Sequence, residues 1–242
     1  LKHYLDHFNP DFLFIKGDHN PKFSTQDVGV LYLFEIPFFI AGIILLFRKR
    51  EGYWWIVPLW LLIGIIPAAT ARETPHALRI ESTLPMFQLF SAYGIVWFLL
   101  YVKQQKKRLY PLTMVFLGGV MLLNIFYFLH GYYTHYPREY SGEWQYGYKE
   151  SIAYVQTVQN SFDSIMVSES LGRPYIYYLF YTRTDPRNFR ADAVVTRDVF
   201  GFVHVDSFAK YHFPKKLAFK DTVDEKILYV TLPTEVPEGA TI

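Results

Sequence analysis

The stretch "VGVLYLFEIPFFIAGIILLFRKR", residues 28–50, decides the fold. Apart from Glu35 it is apolar as far as Phe47, and it ends in three consecutive cations, Arg48, Lys49 and Arg50. A helix needs about 20 such residues to cross the hydrocarbon of a bilayer. Three more runs of the same kind follow: "YWWIVPLWLLIGIIPAAT" (53–70), "LPMFQLFSAYGIVWFLLYV" (84–102) and "YPLTMVFLGGVMLLNIFYFLH" (110–130). One run alone reads equally well as the core helix of a soluble domain. Four in succession read as four transmembrane helices over residues 28–130.

The connectors give these spans a direction. "RKR" (48–50) and "KQQKKR" (103–108) are short and basic, so the positive-inside rule assigns both to the cytoplasm. Residues 1–27, the connector 71–83 and everything after His130 then lie outside. Tyr53, Trp54, Trp55 and Tyr127 stand at span ends, as an interfacial aromatic belt requires. The expected architecture is α-helical transmembrane with four spans, followed by a small extracytoplasmic α/β domain over 131–242, at the plasma membrane. Leu1 in place of Met, and the abrupt close on "VPEGATI", read as part of a longer protein.

Composition removes several function classes. The chain of 242 residues has a net charge of only +2, which excludes a basic nucleic-acid footprint. It has no cysteine, so disulfides and thiol chemistry are absent. The mean hydropathy of +0.09 averages two unlike halves. From Gly131 onward 12 Lys and Arg oppose 14 Asp and Glu, and no run is long enough to span. There the pattern predicts a helix over 144–159, strands over 162–170, 201–208 and 225–233, and a segment 173–186 that Pro174 tips toward helix. This half contains no GxGxxG, P-loop or nucleophile elbow, and no cofactor is assigned. Ser168 and Ser170 read as turn formers rather than nucleophiles served by His204 or His212.

Chemistry concentrates on the outer face. The connector "ARETPHALRIESTLP" (71–85) carries Arg72, His76 and Arg79 on the side where cations are disfavoured, so topology does not account for them. An anionic partner accounts for them; so does neutralisation by Glu73 and Glu81 in a solvated loop. In residues 1–27, Tyr4, Phe8 and Phe12 recur every four residues, as in an interfacial amphipathic helix. Asn9-Pro10 and Asn20-Pro21 read as turns. His3 and His7 have metal-ligand spacing, although a wet polar helix face fits them better. Asp18 and His19 sit in a polar turn able to reach a substrate. Glu35 stands inside the first span, where an acid costs about 3 kcal/mol unless paired, and Pro37 is expected to kink the helix beside it.

Three stretches, "NPDFLFIKGDHNPKFSTQDVG" (9–29), "PHALR" (75–79) with "LP" and "AYG" behind it, and "REYSGEWQYGYKE" (138–150), resemble the C-terminal half of a bacterial membrane glycosyltransferase. The similarity is to the dolichyl-phosphate-mannose protein mannosyltransferase type, the GT-C fold. It implies transfer of a sugar from a polyprenyl-phosphate carrier to an acceptor on the outer face. It also implies a catalytic acid in an earlier outer loop, outside these residues. Arg72, His76 and Arg79 would then meet the lipid phosphate of the sugar donor, with Glu35, Asp18 and His19 as further substrate contacts and membrane lipids around the spans. The alternative is a non-enzymatic four-span anchor presenting an extracytoplasmic α/β binding or sensing domain. A transporter fits less well, because Glu35 is the one ionisable group deep in the spans.

Overall fold

The computed structural model describes residues 1–219 and 225–238, in two compact units, of which the second begins at Ser141. In the first unit the four apolar runs form helices α1 (Ile36–Lys49), α2 (Ile56–Ala69), α3 (Met86–Gln105) and α4 (Tyr110–His130). Only α3 and the stretch containing α4 are long and apolar enough to cross a membrane. Helices α1 and α2 have 14 residues each, which is about 21 Å of helix. The expectation of four full spans is therefore met by two helices of spanning length and two shorter ones.

Each shortening has a cause in the sequence. Residues 28–32 are not helical, because Val30 and Leu31 donate their backbone N–H groups to the carbonyls of Phe12 (3.3 Å) and Leu13 (2.8 Å). Helix α1 then starts late, with Pro37 in its first turn, where a missing N–H costs nothing. Pro37 thus begins the helix and does not kink it. Glu35 lies just before α1, and its carboxylate accepts the Tyr32 N–H at 3.1 Å. It is a start-of-helix acid, not an acid within a span. The last run goes the other way: helical structure continues through a π-turn at Gly131–His135 and a turn at Tyr136–Glu139. The first unit accordingly ends after Tyr140, not after His130.

Helices α1 and α3 make the closest contact of this unit. Phe39 meets Phe87 and Phe90, Gly42 meets Phe90 and Gly94, and Lys49 lies 4.7 Å from the Trp97 ring. The backbones touch at two glycines: a Cβ on Gly42 would sit 1.9 Å from the Phe90 carbonyl oxygen, and one on Gly94 2.0 Å from that of Phe38. Close approach through small residues is how helices associate in lipid, where apolar side chains gain little by leaving the solvent.

The buried core of the unit is Phe12, Leu13, Leu31, Leu61, Ile65, Ile80, Phe87 and Phe90, where the N-terminal segment and the connector meet the helices. No residue of α4 is buried, and Leu112, Val115, Phe116, Leu123 and Phe126 are all exposed. A core helix of a soluble domain would be covered by its own chain. This one needs lipid or another protein to cover it.

Residues 1–27 form no continuous amphipathic helix. A turn of helix at Lys2–Leu5, a 3₁₀ turn at Asp6–Phe8 and a π-turn at Asp11–Ile15 fold back so that Phe12 is buried in the core. The two Asn-Pro turns form as expected: Asn9 Oδ1 accepts from Asp11 N (3.0 Å), and Asn20 Oδ1 from Lys22 N (3.0 Å).

The second unit is a mixed five-stranded sheet with helices. Its elements are α5 (Tyr148–Val158), β1 (Ser164–Val167), α6 (Pro174–Thr182), α7 (Pro186–Asp192), β2 (Val194–Arg197), β3 (Val203–Phe208), β4 (Tyr211–His212) and β5 (Ile227–Val230). The strand order is β2-β3-β4-β1-β5, with β1 parallel to β4 and β5 and the remaining pairs antiparallel. The strand "SIMV" lies between β4 and β5 and is almost wholly buried, which suits a strand covered on both faces. Ile152 and Val155 of α5, Tyr178 of α6, and Phe208 and Phe213 close the core around it. Pro174 resolves the ambiguous segment as helix α6, standing in its first turn. Helix α7 and strands β2 and β4 are additions to the expected elements, although Asp185 before Pro186 is a start signal: its Oδ1 accepts from Arg187 N at 2.8 Å.

Candidate functional site

The connector 71–83 is folded against the N-terminal segment by buried polar contacts. Asp18, almost fully buried, accepts from Asn20 N at Oδ1 (2.8 Å) and from Ala77 N at Oδ2 (2.7 Å). Its own carbonyl accepts from Gln26 Nε2 at 2.6 Å. His7, fully buried, donates Nδ1–H to the His3 carbonyl (3.0 Å) and accepts the His76 N–H at Nε2 (3.3 Å). Thr74 Oγ1 donates to Asp6 Oδ2 (2.8 Å) and lies 2.8 Å from His3 Nδ1. His3, exposed on its helical turn, and His7, buried, each contact the connector, so only His7 departs from a wet helix face.

Only the neutral Nδ1–H tautomer of His7 satisfies both of its contacts. Burial, the largest influence, holds its pKa below the usual histidine value, against hydrogen bonds to His3 and Tyr4 that work the other way. The sign for stability follows. The unfolded chain takes up this proton near about pH 6.5, before the folded chain does. The contribution of His7 is complete above that pH and declines as the pH falls toward the lowered folded value. Thermal unfolding followed from neutral pH down to about pH 5 should show this acid-side loss, and His7→Gln should flatten it.

The six candidate residues fall into separate places. His76 is buried, its ring 4.6 Å from the Phe23 ring and its Nδ1 3.7 Å from Asp18 Oδ2 without a hydrogen bond. Asp18 and His76 thus meet each other, as parts of the fastening just described. His19 is exposed beside them. Arg72, Glu73 and Arg79 share an open depression of about 520 Å³ with Pro67, Thr70 and Ala71, at the C-terminal end of α2. Arg79 is exposed and makes no ion pair among the described residues, so Glu81 does not neutralise it. Glu35 lines a different cleft together with Gln88 and Ser91 of α3.

Two arginines and one glutamate line the depression. A guanidinium group is a planar fork of donors that fits two oxygens of a phosphate or carboxylate. Chemically, the arrangement can hold an anion next to an apolar helix end. It offers no nucleophile, and the described residues contain no cluster of three metal-ligating groups.

In the second unit the serines are engaged locally. Ser168 Oγ accepts from Ser170 N (3.2 Å), and the Ser170 and Thr231 hydroxyls donate to the Glu235 carboxylate, which lowers its pKa. His204 faces Glu169 (3.4 Å) and Asp198 (3.5 Å), not a serine. Sequence reasoning misses the roles of His7, Gln88 and Ser91. For His7 the i, i+4 spacing draws attention to the right residue with the wrong chemistry. Compared with protein-family models, with curated proteins and with solved structures, the chain has no match.

Proposed function

We propose that the chain is part of an integral membrane glycosyltransferase that moves a sugar from a polyprenyl-phosphate carrier to an acceptor on the extracytoplasmic face. In this reading the depression around Arg72 and Arg79 receives the carrier phosphate, the helices cross the plasma membrane, and the sheet unit lies outside. The supporting observation is that two arginines of one connector line a single depression at the end of an apolar helix. A lipid-borne phosphate needs cations at such a level, with its apolar tail alongside.

The chemistry assigns the arginines a definite task. The acceptor oxygen attacks the anomeric carbon, the bond from that carbon to the phosphate oxygen breaks, and its electron pair leaves with the phosphate. Two guanidinium groups positioned beforehand stabilise that growing negative charge. The acceptor proton goes to the carboxylate of the catalytic acid that the resemblance places in an earlier outer loop. His76 and Asp18 shape the connector from beneath and do not touch the phosphate. Glu73, in the same depression, limits the net charge and so limits capture of stray anions.

The test is direct binding to the chain in nanodiscs, with a short-chain polyprenyl phosphate as ligand and the matching polyprenol as control. Loss of one charge-assisted contact should weaken binding of the phosphate by about 10- to 100-fold in Arg79→Ala. Polyprenol binding should not change. Equal affinity of wild type and Arg79→Ala for the phosphate would refute the assignment. Arg79→Lys, which keeps charge and loses the fork, is expected between the two.

A further inference from the structure

The second cleft of the helical unit has chemistry of its own. It has a volume of about 480 Å³, within the range of small-ligand sites, and is walled by residues 28–32, by Ile95 of α3 and by Met121 and Phe128 of α4. Its lining is mostly apolar, with four side chains that carry polar atoms: Tyr32, Glu35, Gln88 and Ser91. Gln88 and Ser91 are three residues apart on α3, so they share one face of the helix.

Two of these groups lack what buried polar atoms normally have. Ser91 is 2% exposed and its hydroxyl makes no hydrogen bond; Gln88 Oε1 is likewise covered and without a partner. A serine inside a helix commonly returns its hydroxyl to the carbonyl four residues back. Here that bond is not made. A buried polar atom without a partner is destabilising, and such an atom calls for an explanation beyond packing. The cleft therefore carries two unpaired polar atoms where an alanine and a leucine would fill the same space without cost.

We propose that this cleft is a binding site for a neutral amphiphile whose head carries hydroxyl groups, such as a diacylglycerol or a glycolipid. The head is defined by what the walls offer. Glu35 presents a carboxylate, of which Oε1 already accepts from Tyr32 N, and Gln88 presents an amide oxygen. Ser91 adds a hydroxyl that accepts or donates. The carboxylate and the unpaired amide oxygen want donors, while the Ser91 and Tyr32 hydroxyls both give and take, and a hydroxyl group of a ligand, which does both, meets them all. A phosphate or carboxylate head is disfavoured, because no Lys, Arg or His lines the cleft and Glu35 would repel it. The apolar remainder takes an acyl chain. The site is chemically opposite to the arginine depression and does not depend on the reading of that depression.

The test uses the chain in phosphatidylcholine nanodiscs containing a diazirine-bearing dioleoylglycerol, with cross-links located by peptide mass spectrometry. Labelling is expected at cleft residues such as Gln88, Ser91 and Ile95. Unlabelled dioleoylglycerol should compete for it; dioleoyl phosphatidic acid should not. Ser91→Ala and Gln88→Leu should each weaken labelling by about threefold to tenfold, as for one lost hydrogen bond. Both variants should unfold no earlier than wild type without the ligand, since neither removed atom has a partner. Such a pairing of intact stability with lost binding would not arise from a structural role. The proposal is overturned if label spreads as strongly over the lipid-facing Leu112, Val115 and Phe116. It is equally overturned if phosphatidic acid competes as well as dioleoylglycerol, or if both variants label like wild type.

Discussion

Gly94→Ala is expected to separate α1 from α3 and to cost the helical unit about 2–4 kcal/mol, at the upper end of what overpacking does. The added methyl group would lie 2.0 Å from the Phe38 carbonyl oxygen. An ordinary carbon–oxygen contact is about 3.3 Å, so the backbones must part by roughly 1.3 Å. No flexible side chain is available to absorb that movement, because the obstacle is helix backbone. Gly42→Ala meets the Phe90 carbonyl oxygen in the same way and should behave alike. Gly118 and Gly119 of α4 are different: a methyl group added at either would meet nothing within 4 Å, so alanine there is the control and should cost nothing. Thermal or denaturant unfolding in detergent, followed by tryptophan fluorescence, reads the difference. A Gly94→Ala protein as stable as Gly118→Ala would show that these helices do not meet at their glycines.

Asp18→Ala is expected to cost about 3 kcal/mol by removing two strong acceptors and leaving two partly buried donors unpaired. Its carboxylate takes the N–H groups of Asn20 and Ala77, one within its own turn and the other in the connector. Without it, the Ala77 N–H beside buried His76 loses its acceptor. Asp18→Asn keeps one acceptor oxygen, so its loss should be roughly half as large. Hydrogen exchange at Ala77 is the specific readout: it should speed up together with exchange across 74–80, while the sheet unit is unchanged. If exchange at Ala77 stays at the wild-type rate in Asp18→Ala, the carboxylate does not hold the connector.

Some of this fold is legible in the sequence, and the rest is hidden for physical reasons. The apolar runs and basic connectors locate all four helices, because hydropathy averages over many residues and tolerates local error. Helix ends are less legible. Pro37 reads as a kink or a start according to whether residues 28–32 are helical, and that depends on the backbone of Phe12 and Leu13, far away in sequence. In the sheet unit, β1, β3 and β5 carry clear apolar patterns; β2 is an exposed edge with none. Around the candidate site, the presence of cations in 71–83 is evident, but their division is not. His76 turns inward to Phe23 while Arg72 and Arg79 remain at the surface, a choice made by Asp18 and His7 across some 60 residues of chain. Gly42 and Gly94 are visible as small residues within apolar runs; that they face each other required the fold.

Sugar transfer from a lipid phosphate held at the arginine depression is open to one decisive assay. Membranes from cells expressing the gene that encodes this chain are supplied with polyprenyl-phosphate carrying a radiolabelled sugar. Label should move from the lipid to an acceptor. The double variant Arg72→Ala/Arg79→Ala should lower that transfer by about 100-fold or more, as expected for two lost contacts to the leaving phosphate, while remaining folded in the membrane. Transfer by the folded double variant at the wild-type rate would mean that the depression does not hold that phosphate.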